Sequence, residues 1–306
     1  MTSPRILLLL VLALVGALLF VGWPVPNTAW WAVAEDSGHV PLFALLTFAL
    51  FAEFRARDVA APVHAYIRAA IVAAILGGVT ELIQIPVGRD ASWTDLWHDG
   101  LGIGGALALR AAVDRRLGIR RLVRAGLILL SVSSLIPIAL PIVRVARAYA
   151  YRAQLFPRLA DFSTDRDSFW TVGVGARRIF RPGSLEVDFV AERYPGVSWF
   201  EPEPDWSRFG SLVLDIENPN DSAMEVTLRV HDRQHRSSYS DRFNREFDLA
   251  PNERRTVRVS TDDIAQAPRG RRLDLAHIAG VAVFRSGPPG PRRMIIYALK
   301  LEQRVK

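Results

Sequence analysis

Ionisable side chains set inside apolar sequence are the first features that chemistry could use. His39 opens one apolar segment, and Glu81 and Gln84 stand three residues apart near the end of another. Arg89 follows in a connection, and Asp95 and Asp99, four residues apart, begin a further segment. On a helix, spacings of three and four bring side chains to one face. Such groups in or beside membrane helices cost free energy and tend to mark function. Glu81, His39 and Asp95 suit general acid and base roles, and Arg89 suits clamping a phosphate. The same residues also admit a structural reading, with Glu81 paired to Arg89 and His39 hydrogen-bonded to a carboxylate. For a metal held by His39, Glu81, Asp95, His98 or Asp99 there is no compact ligand spacing, so neither a metal nor another cofactor is expected.

The elements that must position these residues are helices in a bilayer. Apolar runs extend over 6–21, 40–54, 67–87, 96–113 and 122–143, each near the length a spanning helix needs, the second being short unless its polar ends extend it. The first follows Arg5; a small-residue site at Ala32-Val33-Ala34 lies too far beyond it for a signal peptide, so a retained helix is preferred. Trp23, Trp30 and Trp31 suit an interfacial belt. Net charge is +7 and rests on arginine, since the only lysines are Lys300 and Lys306. The arginines lie beside apolar runs and form no single block, which favours membrane topology over nucleic-acid binding. Arg5, then Arg55, Arg57 and Arg68, then Arg110, Arg115, Arg116, Arg120, Arg121 and Arg124 mark the cytoplasmic side. The opposite connections contain only Arg89 among Glu35, Asp36, Asp90 and Asp95. Five crossings from a cytoplasmic N-terminus place the rest of the chain outside the cytoplasmic membrane. Arg144, Arg147 and Arg152 run against that count, but a folded domain after the last crossing is exported largely regardless of charge. Cysteine is absent, which excludes disulfides, thiol catalysis and Cys-ligated metal.

The order Ser37-Gly38-His39, Thr80-Glu81-Leu82-Ile83-Gln84, Gly88-Arg89, Ser92, Asp95 and Gly102 resembles the VanZ-like membrane domain over residues 1–115. Two positions depart from its usual pattern: Ser37-Gly38 stands where a basic residue often precedes the His, and Asp99 stands where Asn is usual. The resemblance implies a place in the cell envelope and fixes no reaction.

Beyond residue 146 the pattern changes to short runs of period two, as in Leu185, Val187 and Phe189 separated by Glu186 and Asp188. Such runs are half-buried strands. They recur at Leu212-Leu214-Ile216, Val226-Leu228-Val230, Val257-Val259, Val281-Val283 and from Met294 to Leu301, without helices between them. The expected fold is therefore multi-domain. An all-α transmembrane bundle of about five helices occupies residues 1–146, a linker residues 147–159 and an all-β sandwich residues 160–306. Tyr194-Pro195-Gly196-Val197, Asp205-Trp206-Ser207 and Leu214-Asp215-Ile216-Glu217-Asn218-Pro219 resemble the galactose-binding-like jelly roll of many carbohydrate-binding modules. Those modules often carry a structural calcium and end with an aspartate in the last strand. Ala298 lies in the middle of that segment here, which argues against calcium.

Sugars are recognised by aromatic faces, with carboxylates and amides hydrogen-bonding their hydroxyls. Trp170, Tyr194, Trp199, Trp206 and Tyr239 supply the aromatics. Trp206 reads as core, whereas Trp199 and Tyr239, flanked by polar or turn residues, read as exposed. His231, Asp232 and His235 form a candidate polar edge. No paired catalytic carboxylates, nucleophile elbow or metal cluster stands at convincing spacing in this half. The expectation is a non-enzymatic inner-membrane protein whose extracytoplasmic sandwich binds an envelope glycan or glycolipid. Two alternatives stand beside it: an enzyme or transporter acting on a lipid-linked envelope precursor through His39, Glu81, Arg89 and Asp95, and a protein-interaction module in an assembly complex.

Overall fold

A computed structural model describes residues 4–20, 28–57, 62–84, 92–191, 193–202, 205–236, 238–287 and 290–304. They belong to two compact units, Met1–Ala146 and Arg147–Lys306.

The first unit is helical, with α1 (Pro4–Phe20), α2 (Ala29–Arg57), α3 (Pro62–Gln84), α4 (Trp93–Val113), α5 (Arg121–Ser133) and the start of α6 (Ile136–Leu155). On α3 the small residues Ala65, Ala69 and Ala73, one turn apart, are buried, while Ile67, Ile71 and Ile75 are exposed. Small residues inside and branched apolar ones outside are what a helix packed on neighbours within lipid requires. Three described stretches are long and apolar enough to cross a membrane, namely Ala29–Arg57, Val63–Ile83 and Arg121–Leu155, and Pro4–Ala17 is a shorter apolar helix. The sequence predicts a further span over 96–113. There α4 carries His98 and Asp99 in its first turns and Arg110 in its last, and it is not among the described stretches long and apolar enough to cross a membrane. Gly102 brings α4 against α2: a Cβ on it would lie 2.4 Å from the Val40 carbonyl oxygen.

The second unit opens on the last turns of α6. The linker expected over 147–159 is helical as far as Leu155, because Arg147 to Leu155 contains no Gly or Pro to stop the helix before Pro157. Among the described residues eleven strands and one short α-helix follow: β1 (Arg158–Ala160), β2 (Thr171–Val174), β3 (Ala176–Arg181), β4 (Ser184–Phe189), β5 (Gly196–Phe200), β6 (Phe209–Glu217), β7 (Met224–Asp232), β8 (Phe243–Leu249), β9 (Arg254–Ser260), α7 (Thr261–Gln266), β10 (Ile278–Arg285) and β11 (Arg293–Gln303). They form two antiparallel sheets. One has the order β3-β4-β11-β6-β9 with β1 also on β11; the other has the order β2-β5-β10-β7-β8. The core lies between them and takes Leu185 and Val187 of β4, Leu212, Leu214 and Ile216 of β6, Val226, Leu228 and Val230 of β7, and Val281 and Val283 of β10. These are the alternating positions that the period-two reading selects. Asn218, fully buried at the end of β6, donates through Nδ2 to the carbonyls of Ser222 at 2.8 Å and Ala250 at 3.0 Å. Its amide thereby ties the loop after β6 to the chain leaving β8.

Candidate functional site

Each unit presents one concentration of chemistry-bearing residues. In the helical unit, His39 of α2, Glu81 in the last turn of α3 and Asp99 of α4 meet. Each offers one donor atom, and the three atoms lie within 4.8 Å of one another. All three side chains are buried, Glu81 at 3% exposure and Asp99 at 2%. His39 Nδ1 lies 2.9 Å from Asp99 Oδ1, and its ring is parallel to that of Phe43 one turn on. Glu81 Oε2 accepts the backbone N–H of Ser92 at 2.8 Å, and Ser92 in turn caps α4, its side chain accepting from the Thr94 N–H. Glu81 Oε1 and Asp99 Oδ2 have no hydrogen-bond partner among the described residues. Asp95 shares the face of Asp99 but is partly exposed at the first turn of α4 and stays outside the trio. The side chain of Gln84 and the whole of Arg89 lie outside the described residues.

In the sandwich, the site is the solvent face of the β2-β5-β10-β7-β8 sheet. Because Val197 and Trp199, Val281 and Val283, and Val226, Leu228 and Val230 point into the core, their neighbours point out. Registered across the strands, one row runs Val172, Ser198, Ala282, Arg229, Asn244 and the next Phe200, Gly280, His231. The middle of the face is thus floored by small side chains. A Cβ on Gly280 would come within 2.5 Å of the His231 ring, so glycine lets that imidazole lie flat on the sheet.

Larger groups rise at one side of this floor. The Arg229 guanidinium sits 4.5 Å over the Phe284 ring, and its Nε donates to Asn244 Oδ1 at 3.0 Å. Tyr194 packs edge-on against Phe284 with ring centres 5.9 Å apart, and Arg242 lies 5.5 Å over the Tyr239 ring. Tyr194 and Tyr239 are each 62% exposed. Tyr194 is held at φ 49°, the left-handed region that a bulky residue rarely adopts. Tyr239, Arg242 and Asn244, with Ser238, Ser240, Ala267 and Arg269, line a cleft of ≈ 350 Å³. Neither Arg229 nor Arg242 forms an ion pair with a carboxylate among the described residues. Burial, then the charges of His235, Arg242 and Arg229, push the His231 imidazole down to about 4, so it is neutral at neutral pH. Burial and the Arg242 charge also lower Arg229 from its usual value.

The aromatic expectation needs correction. Trp199 is 2% exposed, because on β5 it alternates with Val197 into the core, and it is no platform. Trp170 and Trp206 are buried as well, while Tyr239 is exposed as expected. Tyr194 is the second exposed ring. Its place in a turn between strands, next to Pro195, is the signal that could have raised it above Trp199. Asp232 is also corrected. It ends β7 with its side chain fully buried, where Arg271 grips both carboxylate oxygens at 2.5 and 2.8 Å and Asp274 donates its N–H at 2.8 Å. Burial pushes this carboxyl up, but those donors outweigh it and leave it below the usual range. No lone pair faces solvent for a ligand. The His231 and His235 rings lie tilted at 48° to each other with centres 5.2 Å apart, and His235 Nδ1 is engaged by the Asp241 carbonyl at 3.0 Å.

No family model matches the chain. No curated protein matches it either. Solved structures resemble its C-terminal part. A family 11 carbohydrate-binding module from Clostridium thermocellum, in complex with a beta-1,3-1,4-mixed-linked tetrasaccharide, is 15% identical, covering 49% of this chain and 96% of the module with a TM-score of 0.39. A family 29 carbohydrate-binding module from Piromyces equi is 12% identical, covering 43% of this chain and 78% of the module with a TM-score of 0.30. An exo-beta-agarase is 18% identical over 49% of this chain with a TM-score of 0.39, and this chain spans only 25% of the agarase's length. At such identities and scores the likeness assigns no ligand.

Proposed function

We propose that the chain is a membrane-anchored, non-catalytic glycan-binding protein of the cell envelope. In this reading the helical unit is a VanZ-like bundle that crosses the cytoplasmic membrane five times from a cytoplasmic N-terminus. The sandwich, a galactose-binding-like jelly roll, is held outside, where tethering gives it a high effective concentration of membrane-proximal ligands. The observation that supports it is the pair of exposed tyrosines, Tyr194 and Tyr239, beside Arg229 and Arg242 at the edge of a small-residue floor. Tyrosine faces stack on the C–H faces of sugars, and the Arg and Asn donors meet hydroxyls or acidic substituents. Two guanidinium groups without carboxylate partners favour a glycan that carries a carboxylate or phosphate.

The test uses the full chain in a detergent without a sugar headgroup, titrated with neutral and acidic envelope glycans and glycolipids. Tyr194→Ala and Tyr239→Ala are each expected to weaken binding about tenfold, the loss of one stacking contact of about 1.4 kcal/mol. Unchanged affinity in both variants refutes the site.

A second reading is favoured by the convergence of His39, Glu81 and Asp99: the helical unit acts on a lipid-linked precursor and the sandwich guides it. Under that reading Glu81→Gln abolishes an envelope phenotype at unchanged protein level. Under the first it leaves glycan binding intact.

A further inference from the structure

We propose that His39, Glu81 and Asp99 form a binding site for a divalent transition-metal ion, zinc before others, inside the helical unit. The sequence spacing conceals this site, because the three residues come from three helices, α2, α3 and α4.

The two carboxylates are each only half satisfied. Each has one oxygen anchored and one left over. Glu81 Oε2 is fixed by the Ser92 N–H at 2.8 Å and Asp99 Oδ1 by the His39 ring at 2.9 Å. Glu81 Oε1 and Asp99 Oδ2 are buried without a partner among the described residues, in side chains more than nine-tenths buried. A buried carboxylate oxygen without a donor is costly, and two close together add mutual repulsion. A single shared proton satisfies this pair only in part, whereas a dication offsets both charges and accepts both lone pairs. Oxygens anchored on one side and open on the other are also what orients first ligands in metal sites.

Gly77 lies one turn before Glu81 on α3, and a Cβ there would stand 2.9 Å from Asp99 Oδ2. Glycine at this position clears the place of that oxygen. Gly102 clears the α2–α4 crossing beside it. One imidazole nitrogen and two carboxylate oxygens within 4.8 Å of one another can converge on an ion at about 2.0–2.2 Å by side-chain rotation. Nitrogen with carboxylate oxygen suits zinc, and less well manganese or iron. Three protein ligands leave a coordination position for water or for an oxygen of a bound molecule.

The experiment uses the full chain, purified in detergent with its affinity tag removed. Metal content is measured by mass spectrometry, and the chelator-stripped protein is titrated with Zn²⁺ against a chromophoric chelator. Wild type is expected to bind about one equivalent. Glu81→Gln and Asp99→Asn are expected to lose at least about a hundredfold in affinity, since even outer-shell changes at metal sites cost ten- to a hundredfold. His64→Ala, at an exposed histidine outside the trio, is expected to bind as wild type does. Added zinc should raise the melting temperature of wild type and not that of Asp99→Asn. Failure of stripped wild type to take up zinc, manganese or iron overturns the proposal without recourse to any variant. Equal uptake by wild type and both carboxylate variants overturns it as well.

Discussion

Asp232 divides a ligand-binding reading from a structural one, and Arg271→Met measures which applies. The Asp232 side chain has no solvent exposure, and Arg271 supplies two of its three donors, at 2.5 and 2.8 Å; the third is the Asp274 N–H at 2.8 Å. Methionine keeps the length of the arginine stem and removes the guanidinium. Asp232 is then left ionised and buried with one backbone donor. Removing one partner of a buried pair costs about 3–5 kcal/mol. For a unit of this size each kcal/mol shifts the melting temperature by about 2–4 °C, so the expected drop is about 6–20 °C.

The assay is thermal and urea unfolding of the 147–306 segment, followed by fluorescence of the buried Trp170, Trp199 and Trp206. Adding Asp232→Asn should recover most of the loss, because a neutral amide needs far less compensation than a charge. The sign with pH follows from the depressed carboxyl. Its contribution is complete above the unfolded value of about 3.9 and disappears as pH falls through the lower folded value, so the deficit of Arg271→Met shrinks in strong acid. A loss below about 1 kcal/mol at neutral pH would refute this reasoning. Asp232 would then be solvated and available to a sugar hydroxyl.

Two further outcomes follow from the same geometry. Asp167, which accepts the Phe162 N–H at 2.7 Å, is pushed up to about 6 by burial, so it favours folding below its unfolded value and loses that contribution as pH rises through 6. His231, pushed down to about 4, contributes above about 6.5 and loses its contribution as pH falls through 4. Acidifying from 6.5 to 4 should therefore destabilise Asp167→Asn by about 2 kcal/mol after solvent screening and stabilise His231→Asn; equal slopes in urea titrations would contradict both assignments. In the helical unit, Gly102→Ala should cost about 1–3 kcal/mol in detergent unfolding, since its methyl meets the Val40 carbonyl, whereas Gly104→Ala, which meets nothing within 4 Å, should be neutral or slightly stabilising.

The strands legible in the sequence are those whose two faces differ. β4, β6, β7, β9 and β11 each set apolar residues against polar ones at period two, β10 sets its valines against glycine and alanine, and each contributes to the core. The rule passes over β3 and β8, which end their sheets and carry arginine or glutamate at several positions. An edge strand needs no continuous apolar face, and its charges discourage pairing with another chain. Trp199 fails for a related reason. Ser198 and Phe200 suggest a mixed, exposed environment, but only register decides, and register places Trp199 with Val197 in the core.

In the helical unit, sequence identifies which residues are costly to place there but not which of them converge. Asp95 and Asp99 share a face, yet one turn of about 5.4 Å separates them, and that turn puts Asp99 beside His39 while Asp95 stays at the helix start. The pairing depends on where α2 and α4 cross, which is set by the bare backbone of Gly102 against Val40. A glycine in an apolar run is visible in the sequence; the partner it admits is not. The solvent face of the sandwich obeys the same logic. Gly280 and Ala282 could be read only as gaps in a strand, and their meaning, a floor beside Arg229 and His231, depends on which side chains the neighbouring strands bring next to them.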